Sequence, residues 1–185
     1  MNTLIFNGSP RQQGDTVALI GALTASLSGR ADIVGCYRAR ISPCVDCRAC
    51  RARFSCAIDD GMSEVYRLIL ASDNIVIASP IYYSELTGRM LDVLSRLQPG
   101  YYARGRGEAG FSNRARRGGI LLAGGGDGSP ADAITRARIL LRAMGCNEIS
   151  EPVMSLKTEV VPAAMDAEAL AAAAALGRAW SAGRS

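Results

Sequence analysis

The chain has 185 residues, 49% of them apolar and 21% charged. That is enough for one well-cored domain over 1–185 and too few for two comfortable ones. The formal net charge is +4, and apart from Lys157 the 21 basic residues are all Arg. There is no histidine, which excludes His-based triads, His-ligated zinc and imidazole general bases.

Residues 2–7 and 32–37 read as strands, with a helix over 16–28 between them. A cysteine-rich loop runs from Arg40 to Asp60, followed by a helix over 61–71 and the buried strand "NIVIAS" at 74–79. After "PIYYSE" the spacing predicts a helix over 86–98, with Leu86, Met90, Leu91, Leu94 and Leu97 on one face. Residues 99–117 form a Gly- and Arg-rich connection without apolar period. "GGILLAGGGDGS" (118–129) reads as a strand running into a glycine loop, and 130–145 as a helix closed by Gly145. "EISEPVMSL" is the last strand region and 166–182 the last helix. Such alternation predicts an α/β fold with about five parallel strands and helices on both faces. A barrel would need roughly 250 residues.

No stretch approaches the ~18–20 apolar residues of a membrane span; "ALAAAAALGRAW" is broken by Arg178. The chain opens on a strand pattern with no room for a leader, and its six cysteines suit a reducing compartment, so a cytoplasmic setting is expected. Arg104, Arg106, Arg114, Arg116 and Arg117 lack the interleaved aromatics of a nucleic-acid surface and read as a solvated basic loop. Neither nucleic acid nor membrane is expected as a partner.

The loop "NGSPRQQGDT" (7–16) leaves the first strand and enters the first helix, where unpaired N–H groups and the helix dipole favour an anion. Gly8 and Gly14 let the backbone curl, Ser9 and Thr16 offer hydroxyls, and Arg11 offers a charge. The dinucleotide and P-loop glycine signatures are both missing, which leaves a phosphate monoester such as flavin mononucleotide, or else a simple turn with a helix cap. "SPIYYSE" (79–85) and "AGGGDGS" (123–129) leave strand ends on the same edge, adding an aromatic wall and a glycine floor.

"NGSPRQQGDT", "SDNIVIASPIYYSELTGRMLDVLSRLQ" and "GGGDGSP" resemble the NADPH-dependent FMN reductases of the flavodoxin-like superfamily over about residues 2–160. The resemblance implies a flavodoxin-like doubly wound sandwich with strand order 2-1-3-4-5. It also implies that Ser9, Arg11 and Thr16 hold the FMN phosphate in a loop that includes Gly14 and Val17. Pro80, Ile81, Tyr82, Tyr83 and Ser84 would line the isoalloxazine, with Gly124, Gly125, Gly126 and Asp127 closing the other side. Two departures stand out. Asp15 replaces a frequent Asn and is assigned to helix capping, away from the phosphate. Leu91 and Ser95-Arg96 stand where many members carry Lys and an Asp-Arg pair.

"PCVDCRACRARFSC" places Cys44, Cys47, Cys50 and Cys56 at C-x2-C-x2-C-x5-C, a spacing that lets four thiolates converge. It resembles the iron–sulfur flavoproteins, a branch of the same family that carries a [4Fe-4S] cluster. Tetrahedral zinc and a plain redox-active thiol loop remain alternatives. Cys36 and Cys146 fall at strand positions and read as buried, inert thiols.

The expected function is an FMN-dependent NAD(P)H:acceptor oxidoreductase of the flavin or quinone reductase type. Hydride transfer to flavin asks for no catalytic side chain, only for stacking, dryness and geometry. Tyr82 and Tyr83 are ring-wall candidates, with core packing as the alternative. The 104–117 segment is a candidate for the 2′-phosphate of NADPH or a flanking loop. The runner-up is a non-enzymatic electron carrier, iron–sulfur or flavodoxin-like, although a +4 chain lacks the acidic docking face of a flavodoxin. The partner is a small-molecule acceptor or redox protein. A homodimer or tetramer is expected from the apolar helix 86–98 and the alanine-rich last helix.

Overall fold

The computed structural model describes residues 1–126 and 129–183. Its central sheet runs β2 (Arg30–Gly35), β1 (Asn2–Asn7), β3 (Asn74–Tyr82), β5 (Arg116–Ala123) and β6 (Cys146–Ile149), all parallel. That is the order 2-1-3-4-5 counted over the five parallel positions. The sheet nonetheless has seven strands. The fifth position is split, because β7 (Val153–Ser155) also pairs with β5 after a break at Ser150–Pro152; proline has no N–H for the ladder. The seventh, β4 (Glu85–Leu86), folds back antiparallel on the end of β3.

Neighbouring residues of each central strand face opposite layers. Leu4, Phe6, Ile75, Ile77, Ile120 and Leu122 enter one core, shared with α2 (Met62–Ala71), α3 (Gly88–Leu94) and α5 (Ala131–Ala143). Ile5, Val76, Ala78 and Leu121 enter the other, against α1 (Asp15–Thr24) and α6 (Ala167–Ser181). The alternation of short apolar runs therefore builds the two-faced sandwich. The alanine-rich α6 packs on α1 through Ala173 and Gly177; a Cβ at Gly177 would sit 2.6 Å from the Leu23 carbonyl oxygen. Small residues are what allow that approach.

Several boundaries move. The first helix stops at Thr24, and β2 begins two residues before the predicted 32–37. The predicted helix 86–98 shortens to α3, tightens into a 3-10 turn at Ser95–Leu97, and continues as α4 (Gln98–Gly105) inside the stretch expected to be irregular. Pro99, just inside the start of α4, suits that restart. Met90, Leu94 and Leu97 are buried within this chain, so they leave no free face for a second copy. Apolar exposure persists instead at Tyr101 and Ile139.

The basic segment also lies elsewhere than expected. Arg116 and Arg117 open β5 at the amino edge of the sheet, opposite the carboxyl edge where the three loops gather. Arg116 is fully buried and donates to the carbonyls of Leu70 and Ser72 at the end of α2, and of Met144 after α5. A guanidinium there meets the negative ends of two helices. Arg117 donates to Asn74 Oδ1 (2.9 Å) and the Trp180 carbonyl (3.0 Å). Arg116 and Arg117 therefore serve the fold, at the edge of the sheet away from the strand-end cleft.

Candidate functional site

Two concave regions hold the chemistry-bearing residues. The first is a cleft at the carboxyl ends of β1, β3 and β5, walled by Ser9, Arg11, Gly14, Asp15 and Thr16, by Pro80, Ile81 and Tyr82, and by Ala123 and Gly125. The loop after β1 is shaped by its own polar groups: the Ser9 N–H donates to Asn7 Oδ1 (2.9 Å) and the Arg11 N–H to Ser9 Oγ (3.2 Å). Gly8 is pinned by its N–H to the Ala78 carbonyl (2.8 Å), and its carbonyl accepts from Thr87 Oγ1 (2.9 Å). Gly14 is the N-cap of α1 and supplies no side-chain cap, so the first-turn N–H groups face the cleft without a side-chain acceptor.

Asp15 does not cap the helix. Its Oδ1 accepts from the Ala163 N–H at 2.9 Å, which ties α1 to the turn before α6. Val17 follows in the first turn of α1 and is not part of the cleft wall.

The β3–β4 turn carries positive φ at two non-glycine residues, Tyr83 (50°) and Ser84 (64°), the pairing a two-residue hairpin demands. It is anchored where the Ala133 N–H donates to the Ser84 carbonyl (2.9 Å). Tyr82 reaches the cleft, whereas Tyr83 is fully exposed outside its wall, so neither ring is core. Non-glycine backbone in this region costs of order 1–3 kcal/mol per residue and collects at working sites.

The glycine floor is held by a loop the sequence reading missed. The N–H groups of Lys157 and Thr158 donate to the carbonyls of Gly126 (2.9 Å) and Gly124 (3.0 Å), and Gly124 N–H donates to Ser155 O (2.9 Å). Thr158 and Glu159 thereby join the cleft wall. A Cβ on Gly125 would meet the Glu159 side chain, with Oε1 at 3.0 Å. The signal was available: this loop follows β7, and ligands gather past strand ends. Asp127 lies outside the described residues. The donor set suits a phosphate ester with a planar ring system: open helix N–H groups, two hydroxyls and one guanidinium at one end, and a tyrosine and bare glycine backbone at the other.

The second region is a cavity on the flank of the 3-10 turn and α4, bordered by all four cysteines of the loop: Cys44, Cys47, Cys50 and Cys56. Positive φ at Asp46 (48°) and Arg48 (62°) turns the chain twice between the first three. None of the four is in a disulfide. Burial pushes the Cys50 thiol up, and the nearness of Cys44, Cys56 and Cys47 adds to it. Among the described residues no three His, Cys, Asp or Glu side chains close on a single metal position. Cys36 and Cys146 lie apart from this group, buried, with desolvation pushing both thiols up to about 12.

Three arginines clamp this loop. Arg89 donates to the carbonyls of Cys36, Ala39 and Ile41, and Arg106 to those of Cys50 and Arg51. Arg96, 1% exposed, makes a fork-on-fork pair with Asp60 (2.9 and 3.2 Å) and donates to the carbonyls of Ser42 (2.8 Å) and Ile58 (3.3 Å). Asp60 also accepts from the N–H groups of Ser42 and Met62 (3.0 Å each). Burial works against that carboxylate, yet its bonds with Arg96 and the two N–H groups hold its pKa below the usual range. Arg96 Nε and Ser55 Oγ are buried without a partner among the described residues. Such an orphan costs ~1–3 kcal/mol. Arg96 borders the cavity and Ser55 precedes Cys56, so both fit a group rich in acceptors, as thiolate-bound metal is. Sequence reading missed Arg96; its sign was an arginine amid the apolar face of 86–98.

Known proteins resemble the chain in sequence and in fold. The chain is 28% identical over 141 residues to an iron-sulfur flavoprotein of Archaeoglobus fulgidus, covering 75% of this chain and 61% of that one. It is 32% identical over 94 residues to an iron-sulfur flavoprotein of Methanosarcina thermophila, covering 49% of each. The matched stretches thus span about half to three-fifths of these relatives. The NAD(P)H:quinone oxidoreductase of Methanothermobacter marburgensis superposes with a TM-score of 0.69 at 13% identity, over 100% of this chain and 99% of that one; at that identity the fold alone is shared. The family model for NADPH-dependent FMN reductase matches residues 1–160. The chain belongs to the NADPH-dependent FMN reductase family.

Proposed function

We propose that this protein is an FMN-dependent NAD(P)H:acceptor oxidoreductase of the flavin or quinone reductase type, working on a small-molecule acceptor or a redox protein. The observation that carries the reading is the meeting of three strand-end loops, with Thr158 and Glu159, around one cleft. The first-turn N–H groups of α1, Ser9, Thr16 and Arg11 would bind the phosphate, and Pro80, Ile81, Tyr82 and Gly125 would position the ring. When bound, the flavin supplies the two-electron chemistry. The chain's residues supply affinity, orientation and a dry wall, and no side chain is needed as general acid or base. Flavin extracted from the purified protein should chromatograph as the mononucleotide, and NAD(P)H oxidation should depend on it. Recovery of FAD, or no oxidation by the flavin-loaded protein, would overturn the reading.

The four cysteines, the orphan donors beside them and the names of the relatives favour a second element, a [4Fe-4S] cluster on Cys44, Cys47, Cys50 and Cys56. With it the protein would also serve as an electron-transfer flavoprotein. Anaerobic reconstitution should give about four iron per chain, and below one would leave a plain FMN protein. No helix among the described residues is long and apolar enough to cross a membrane, which accords with the proposed cytoplasmic setting. A homodimer or tetramer is proposed, with the groove that carries the exposed Tyr101 and Ile139 beside Leu91 as its face. A monomer by light scattering at micromolar concentration would refute it.

A further inference from the structure

We propose that Arg96 is the hydrogen-bond donor of the four-cysteine centre: its Nε–H donates to a sulfur of the iron–sulfur group held there. This rests on the cluster reading above. The other guanidinium nitrogens are engaged, with Asp60, Ser42 O and Ile58 O. Nε alone lacks a hydrogen-bond partner among the described residues, in a side chain 1% exposed, and the guanidinium lies near the Cys56 thiol.

Among the described residues the only other buried side-chain nitrogen or oxygen in this condition is Ser55 Oγ, next to Cys56. Arg96 borders the cavity and Ser55 adjoins a cysteine that does, which points to an acceptor-rich group held there. Thiolates and inorganic sulfides are acceptors and carry negative charge, so they complement a guanidinium.

The Asp60 fork fixes the plane of Arg96 and hence the direction of Nε–H. A lysine offers no equivalent, being a point charge without a planar fork. Hydrogen bonds to sulfur help set the reduction potential of such clusters. A donor at this position stabilises the charge added by one electron, and so raises the potential. No bond forms or breaks in this effect.

Wild type and Arg96→Lys would be reconstituted anaerobically with iron and sulfide, their iron counted, and each titrated with dithionite at controlled potential. Because Arg96 also clamps the loop, the variant should hold less iron than wild type, and the centre it retains should have its midpoint shifted to more negative potential. An unshifted midpoint, or lost iron with the residual centre at the wild-type potential, would overturn the inference alone. A wild type that takes up no iron would overturn the cluster reading and this inference with it. If Arg96→Lys does not fold, wild type carrying guanidinium-15N arginine decides: the reduced centre should show 15N coupling by pulsed electron paramagnetic resonance, and its absence would overturn the assignment.

Discussion

The strand-end cleft is walled by residues of four strand-end loops, whereas the cysteine cavity is held by three arginines, Arg89 of α3, Arg96 of the 3-10 turn and Arg106 just after α4, reaching to loop carbonyls. The cleft owes its position to the sheet: parallel strands end at one edge, and the loops after β1, β3, β5 and β7 must meet there. The cavity has no such scaffold. Between Gly35 and Met62 the described chain has no element beyond a 3-10 turn, so charged clamps take the place of a ladder. Single side-chain losses should therefore be graded at the cleft and severe at the cavity.

Asp60→Ala should have the largest effect. It strands the buried Arg96 guanidinium, a loss of about 3–5 kcal/mol for a broken buried pair, read as the urea midpoint. A loss under ~1 kcal/mol would mean the clamp does not hold the loop. The pH dependence has a definite sign. Because the folded Asp60 carboxyl lies below its unfolded value of 3.8, its contribution is present above that value and fades as pH falls through the folded pKa. Acid titration of the unfolding midpoint should be flatter in Asp60→Ala.

Next comes Thr16→Val at the cleft. Loss of a hydroxyl from a charged phosphate is worth ~1.5–3 kcal/mol, so the FMN dissociation constant should rise roughly 10- to 150-fold. Riboflavin binding and the apoprotein's unfolding midpoint should hardly move. Equal losses for FMN and riboflavin would take Thr16 out of phosphate contact.

Gly8→Ala tests the hinge of the same loop. The new Cβ would meet Met90 Cε at 2.8 Å, Thr87 Oγ1 at 2.9 Å and Ser79 Oγ at 3.0 Å. Overpacking of this kind costs roughly 1–3 kcal/mol, and a neutral result on thermal unfolding would mean α3 gives way freely.

The smallest effect concerns the thiols. At pH 8 iodoacetamide should modify Cys44 and Cys47 quickly in the metal-free protein and spare Cys36 and Cys146, as peptide mass spectrometry can show. Burial raises those two from 9.0 to about 12, so the folded state favours their neutral form and stability should decline as pH climbs past about 9. Rapid labelling of Cys36 would refute its burial.

The amino-acid sequence by itself determined the alternation of strands and helices, the edge on which the "NGSPRQQGDT" loop, the "SPIYYSE" turn and the glycine loop would gather, and the close spacing of four cysteines. These are legible because apolar periodicity and short-range spacing are local. Only the tertiary structure decided that Thr158 and Glu159 complete the cleft, that Asp15 reaches Ala163, that Arg116 closes two helix ends at the far edge, and that Arg96 with Asp60 underlies the cysteine loop. Each of these joins residues tens of positions apart or assigns a charge to the interior. Whether an arginine lies in water or among carbonyls depends on what else the fold brings to it, and no local pattern carries that information.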